Sequence, residues 1–292
     1  MKYYAPTNLE NALDLLEKLS SEKNVLLAGG TDIVPKLKSN PARSGWYDKY
    51  DASVKDFNMI YLGNLGLSYV TSDDGGALHI GALTTMSDIL ADPIADKIPV
   101  LKEALRHLAG LTIRNVATIG GNTMNASPAA DSIPALIALG ALAVFTGKAG
   151  QRTVALEKVF TGPGKTDIQR GEILTELIIP KPAGKGKFEK LGRRKAETLS
   201  IVNGAAQADG IQQLRRGCAL GAGFKTKGDA VFLQHFHHAV LILGLRDRKE
   251  QPQAGGAFLR CSHISIPPVP PRCRPKCWGR SAPGCGGHTA GP

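Results

Sequence analysis

Two glycine pairs carry the sharpest chemical signal in the chain: Ala28-Gly29-Gly30-Thr31-Asp32 and Thr118-Ile119-Gly120-Gly121-Asn122. Each follows an apolar segment, and each offers consecutive backbone amides without a Cβ, with a hydroxyl alongside. A pyrophosphate needs that combination, because its oxygens are satisfied by a concave row of amides while no side chain holds it away. Either segment alone reads more readily as an ordinary tight turn; the occurrence of two in one domain brings the two readings level. Neither has the Gly-x-Gly-x-x-Gly spacing of a doubly wound dinucleotide site. A third glycine-rich run, Thr161-Gly162-Pro163-Gly164-Lys165-Thr166, ends like a P-loop, but the glycine required five residues before Gly164 is Val159. It reads as a proline-fixed connection.

The elements around these runs follow from periodicity. Thr7-Asn8-Leu9-Glu10 has capping-box spacing, and Leu9, Ala12, Leu13, Leu16 and Leu19 recur at helical intervals, predicting a helix from Asn8 to Ser20. Asn24–Ala28 reads as a strand running into the first glycine pair, with a short helix over Ile33–Leu37 behind it. Met59–Leu62, Ser68–Ser72 and Ala77–Ile80 read as strands, the last two joined at Asp73-Asp74-Gly75-Gly76. Helices are predicted from Thr84 or Thr85 to Ala91 and from Val100 to Leu108. Asp131 is placed to cap another that buries Ile133, Leu136 and Ile137. Leu142–Thr146 and Arg152–Leu156 form a second hairpin, and Ile173–Ile179 and Phe188–Leu191 are further strands. Without regular βαβ alternation, the pattern is α+β.

Composition bounds the rest. No apolar run reaches the roughly 18–20 residues of a membrane-spanning helix, since Ala129–Phe145 is interrupted by Asp131, Pro134 and Gly140. The amino terminus does not read as a secretory signal, so a cytoplasmic location is expected. The net charge of +11 is uneven: Gln207–Pro292 carries 12 basic against 4 acidic residues, and Met1–Ala206 carries 24 against 21. All five cysteines also lie beyond Ala206.

Leu26-Leu27-Ala28-Gly29-Gly30-Thr31-Asp32-Ile33, Ile113-Arg114-Asn115-Val116-Ala117-Thr118-Ile119-Gly120-Gly121-Asn122, Ala126-Ser127-Pro128-Ala129-Ala130-Asp131 and Phe160-Thr161-Gly162-Pro163-Gly164-Lys165-Thr166 occur in the order and spacing of one family. Over Met1–Ala206 the chain resembles the FAD-binding medium subunit of the molybdenum hydroxylases, the group containing xanthine dehydrogenase and aerobic carbon monoxide dehydrogenase. The resemblance implies a two-subdomain FAD-binding fold of the vanillyl-alcohol-oxidase (PCMH) type, with subdomains at 1–56 and 57–172 and a C-terminal flavoprotein subdomain beginning at 173–206. It implies FAD as cofactor, with Leu26, Leu27, Ala28, Gly29, Gly30, Thr31, Asp32 and Ile33 and Thr118, Ile119, Gly120, Gly121 and Asn122 around the pyrophosphate. It further implies Leu108, Asp131, Leu174 and Lys190 as cofactor contacts. The residues themselves leave alternatives open: Leu108 and Leu174 as plain core, Asp131 as a helix cap, and Lys190 as part of a solvated basic face with Lys185, Lys187, Arg193, Arg194 and Lys195.

What the resemblance implies for activity is electron transfer from iron–sulfur clusters on a partner chain through FAD to NAD or another acceptor. The expected partners are a molybdopterin-binding large subunit and a 2Fe–2S small subunit; nucleic acid is not an expected partner. No catalytic side chain is nominated, because substrate chemistry belongs to the molybdenum chain. No metal site is predicted either. An additional iron–sulfur cluster would need thiolates, which the first 206 residues lack, and the tail cysteines match no paired Cys-x2-Cys zinc pattern. Residues 207–292, with 8 of the 18 prolines, lose the family pattern and read as a disordered or out-of-frame tail. The alternative implied by that tail is a damaged, non-assembling product that retains only a flavin-binding domain.

Overall fold

The computed structural model describes residues 1–38, 57–182, 185–194, 196–209 and 213–220. Most of the tail, and with it the expectation of disorder or a lost reading frame, lies outside the described residues.

Three short strands, β1 (Lys2–Tyr4), β2 (Asn24–Leu27) and β3 (Asn58–Tyr61), make a parallel sheet in the order β1-β3-β2. Helix α1 (Leu9–Lys18) connects the first two and buries Ala12, Leu13 and Leu16 on one face, as the spacing predicts. Its cap is not the expected capping box. Asn8 holds the N-cap position and its side chain accepts from the Asn11 amide, while Thr7 accepts from the Asn11 side chain. Helix α2 (Ile33–Lys38) follows the first glycine pair.

Hairpins β4–β5 (Val70–Ser72, Leu78–Gly81), β6–β7 (Leu142–Gly147, Gly150–Ala155) and β8–β9 (Phe160–Gly162, Lys165–Thr166) precede β10 (Ile173–Ile179). β10 inserts between the first two hairpins, giving an antiparallel sheet in the order β4-β5-β10-β6-β7. Strands β11 (Lys185–Gly192), β12 (Ser200–Asp209) and β13 (Gln213–Leu220) form a third sheet, whose ladder runs past the compositional break at Ala206. β3, just after residue 57, pairs in the first sheet, and β10, which begins at residue 173, pairs in the second. Local pattern identifies strands, whereas long-range pairing assigns them to sheets.

Between β5 and β6 lie α3 (Met86–Ala91), a 3-10 turn (Pro93–Lys97), α4 (Pro99–Arg106), α5 (Leu111–Arg114), α6 (Ile119–Asn125) and α7 (Ser132–Ala138); α8 (Leu156–Val159) follows β7. The Thr118–Asn122 run is therefore not a turn but the start of a helix, with Thr118 as N-cap accepting from the Gly121 amide. Asp131 occupies the N-cap position of α7 without making a side-chain cap bond.

Two apolar clusters fill the body. The smaller one joins the buried face of α1 to Ile60, Leu62, Leu65, Leu83 and Ile173. The larger includes Leu78, Ile80, Leu101, Leu105, Leu136, Phe145 and Leu177, and reaches Phe188 and Ala205 of the third sheet.

Candidate functional site

A cleft of about 330 Å³ opens where the first sheet meets the second, within the usual range for small-molecule sites. Three stretches wall it: Asn24–Ile33; Ala117, Thr118, Gly120–Asn122, Met124 and Asn125; and Thr166, Ile168, Ile173 and Leu174. Leu62, Ala82 and Leu83 complete the lining. The cleft thus brings together Leu26–Ile33, Thr118, Gly120, Gly121, Asn122 and Leu174 of the residues expected around a cofactor. Ile119 is fully buried in the larger core instead, and Leu108 also lies in that core.

The glycines are required by close approach. A Cβ on Gly29 would run into the Val116 carbonyl, and Gly30 has φ +71°, a left-handed conformation that suits glycine. A Cβ on Gly120 would lie 2.6 Å from the Ala82 carbonyl oxygen. The two runs nevertheless differ in their amides. Among the described residues, the amides of Gly29, Gly30, Thr31 and Asp32 meet no acceptor. Those of Ile119 and Gly120 donate to the carbonyls of Thr84 and Ala82 at 3.0 and 2.8 Å, and that of Gly121 donates to Thr118 Oγ1 at 3.1 Å. The sequence expectation of two equivalent anion cradles is therefore corrected. Among the described residues the first run presents unpaired donors; the second uses its amides for its own helix and for docking onto the Ala82–Thr84 segment that follows β5, and gives the cleft a close, small-residue wall.

Asp131 and Lys190 meet elsewhere. Lys190 Nζ lies 2.6 Å from Asp131 Oδ2 and donates to the His107 carbonyl at 2.9 Å. Asp131 Oδ1 accepts from Ser200 Oγ at 2.5 Å and Asn203 Nδ2 at 2.8 Å. Both charged side chains are nearly buried, 8% and 6% exposed, so Lys190 is not on the solvated face that its basic neighbours suggest. His107 and Lys190, with the Leu191–Arg194 stretch, Glu197 and Thr198, line a second cavity of about 390 Å³. The structure thus separates Leu108, Asp131 and Lys190 from the residues of the first cleft's lining.

The model of the FAD binding domain in molybdopterin dehydrogenase matches residues 1–182. The chain belongs to that family. It is the FAD-binding medium-subunit type of the molybdenum hydroxylases, and its cofactor is FAD. Relatives include the nicotinate dehydrogenase FAD-subunit of Eubacterium barkeri, 31% identical over 70% of this chain and 67% of the relative. Another is the carbon monoxide dehydrogenase medium chain of Afipia carboxidovorans, 34% identical over 66% and 63%. The chain therefore spans about two thirds of the length of the curated relatives it matches. Among solved structures, quinoline 2-oxidoreductase from Pseudomonas putida 86 matches with a TM-score of 0.65 and 27% identity, covering 75% of this chain and 73% of that one. The mixed helix-and-strand fold is that of the medium chains of this family.

FAD fits the residues present. The cleft has small-residue walls at Gly29, Gly30, Gly120 and Gly121, four backbone amides that meet no acceptor among the described residues, and apolar walls from Leu26, Leu83 and Leu174. Lys36, which the sequence reading passed over, pairs with Asp32 of the first run. Its signal is the i,i+4 spacing from Asp32 on a short helix.

Proposed function

We propose that this chain is the FAD-binding electron-transfer subunit of a molybdenum-containing hydroxylase or dehydrogenase. In this proposal it takes electrons from iron–sulfur clusters on a partner chain and delivers them through FAD to NAD or another acceptor. The expected assembly is a hetero-oligomer with a molybdopterin-binding large subunit and a 2Fe–2S small subunit, built around a vanillyl-alcohol-oxidase (PCMH) type flavin fold. The observation that carries the cofactor's placement is the run of unpaired amides from Gly29 to Asp32 inside the family-matched region. Family membership favours this function over a flavin-binding remnant.

Bound FAD supplies the ability to accept electrons singly and release them as a pair. The chain's own residues bind and orient it. Gly29, Gly30, Thr31 and Asp32 would hold the pyrophosphate through their backbone amides. Thr118, Gly121 and Asn122 form the facing wall, while Leu26, Leu83 and Leu174 exclude water. Lys190 is proposed to serve the flavin end through the second cavity, which it lines, with Asp131 and the His107 carbonyl holding its ammonium and Ser200 and Asn203 holding Asp131; Leu108 is proposed as a further cofactor contact.

The test is direct. Purified chain titrated with FAD is expected to retain a stoichiometric yellow cofactor through gel filtration, and ADP is expected to compete for it. Protein that stays colourless after FAD is added overturns the cofactor placement. Yellow protein that fails to copurify with the molybdenum and iron–sulfur chains overturns the assembly.

A further inference from the structure

Among the described residues lining the first cleft, Asp32 is the single ionisable one, and it has the wrong sign for a pyrophosphate site. It belongs to the same short run whose amides are unpaired. A carboxylate there raises the energy of a bound dianion unless it is neutralised locally, because two like charges at short range in a partly desolvated cleft repel strongly.

Lys36 supplies the neutralisation. It lies one helical turn beyond Asp32 on α2, forms an ion pair with the Asp32 carboxylate, and is only 15% exposed at the side chain. Its ammonium also donates to Asn125 Oδ1 of α6 at 3.4 Å. Asn125 is itself part of the cleft wall. One cation therefore touches the carboxylate of the first wall and reaches the end of the second.

We infer that Lys36 is a positioning residue for the cofactor's phosphates: it cancels the Asp32 charge, so that the amide cradle Gly29–Asp32 meets the dianion with no net negative charge behind it. The inference rests on the FAD assignment of this cleft. Lys36 touches no cofactor atom in this scheme; it acts through the field of its charge, which offsets that of Asp32.

The experiment uses the full chain and FAD affinity measured by equilibrium dialysis, with no electron-transfer readout. Net charge at the Asp32–Lys36 pair predicts the order of affinities: D32N at least equal to the unsubstituted chain, the unsubstituted chain close to D32N/K36M, and K36M weakest. K36M is expected to bind FAD about 10- to 100-fold more weakly, and K36R within about 3-fold of the original. D32N/K36M is expected to recover to within about 5-fold, with the gap between K36M and the original chain narrowing as salt is raised. A merely structural lysine would give no rescue by a second substitution and no such salt dependence. K36M binding as well as the original chain, or D32N/K36M remaining as weak as K36M, overturns the inference. If K36M does not fold, D32N against D32N/K36M carries the test: D32N must bind about 3- to 10-fold more tightly, and equal affinities refute a charge role for Lys36. Failure of the unsubstituted chain itself to bind FAD removes the cofactor assignment and the inference with it, whereas normal binding with flat variants removes the inference alone.

Discussion

Substituting Lys190 by Met removes the cation from a nearly closed ion pair. The partners are 8% and 6% exposed at their side chains, so water cannot solvate the abandoned carboxylate freely. Breaking such a pair from one side costs about 3–5 kcal/mol, since the remaining charge stays buried. Ser200 and Asn203 still donate to Asp131 Oδ1, which places the cost near the lower end, about 3 kcal/mol. The lost bond to the His107 carbonyl contributes about 1 kcal/mol of neutral-to-charged hydrogen bonding within that figure. For a body of this size the melting temperature is expected to fall by about 6–12 °C. Asp131→Asn combined with Lys190→Met leaves no orphaned charge and is expected to cost only about 1–2 kcal/mol, well below the sum of the single effects. Urea unfolding of the four proteins at neutral pH supplies the cycle. A Lys190→Met protein within about 1 kcal/mol of the original, or additive single effects, would show that the pair does not hold the third sheet to the body.

Two further outcomes are expected. Gly120→Ala places a methyl group 2.6 Å from the Ala82 carbonyl oxygen and 2.7 Å from the Ala82 Cβ, so it should cost at least about 1–3 kcal/mol and reduce FAD retention; unchanged melting and unchanged dialysis would contradict the close docking of α6 on Ala82. His79 is held above its ordinary titration point, chiefly by the hydrogen bond to Glu176, with Asp73 adding and burial opposing. A raised folded value means that this contribution is fully present below the unfolded value of about 6.5 and is lost as pH rises through the folded one. His79→Gln should therefore reduce stability more at about pH 5.5 than at about pH 8.5, and an equal loss at both in denaturant melts would count against it.

Local signals in the sequence identify much of the secondary structure and the first cradle. The α1 stripe, the Asp73–Gly76 and Gly147–Gly150 hairpins and the strand into Gly29 all follow from side-chain period and turn chemistry within a few residues. The second glycine pair is misread as a turn because glycine is a poor helix former; the Thr118 N-cap was the available sign to the contrary. The amides of Ile119 and Gly120 are satisfied by Thr84 and Ala82, more than thirty residues upstream, and no local pattern announces such partners. Lys190 is misjudged for the same reason. Its neighbours in sequence are exposed cations, while its partner Asp131 lies across the fold, 59 positions away.

The first cleft has a consequence for biogenesis. Its walls come from segments beginning at Asn24 and ending at Leu174, so a growing chain shorter than that cannot present the complete site. Cofactor capture is therefore a late event that reports on closure of both sheets at once. A ligand held only by the finished fold adds stability by mass action, about 2.7 kcal/mol when its free concentration is a hundred times its dissociation constant. Flavin supply in the cell would then act as a quality gate: chains that fail to close around it lack that increment and present the more open state to proteases.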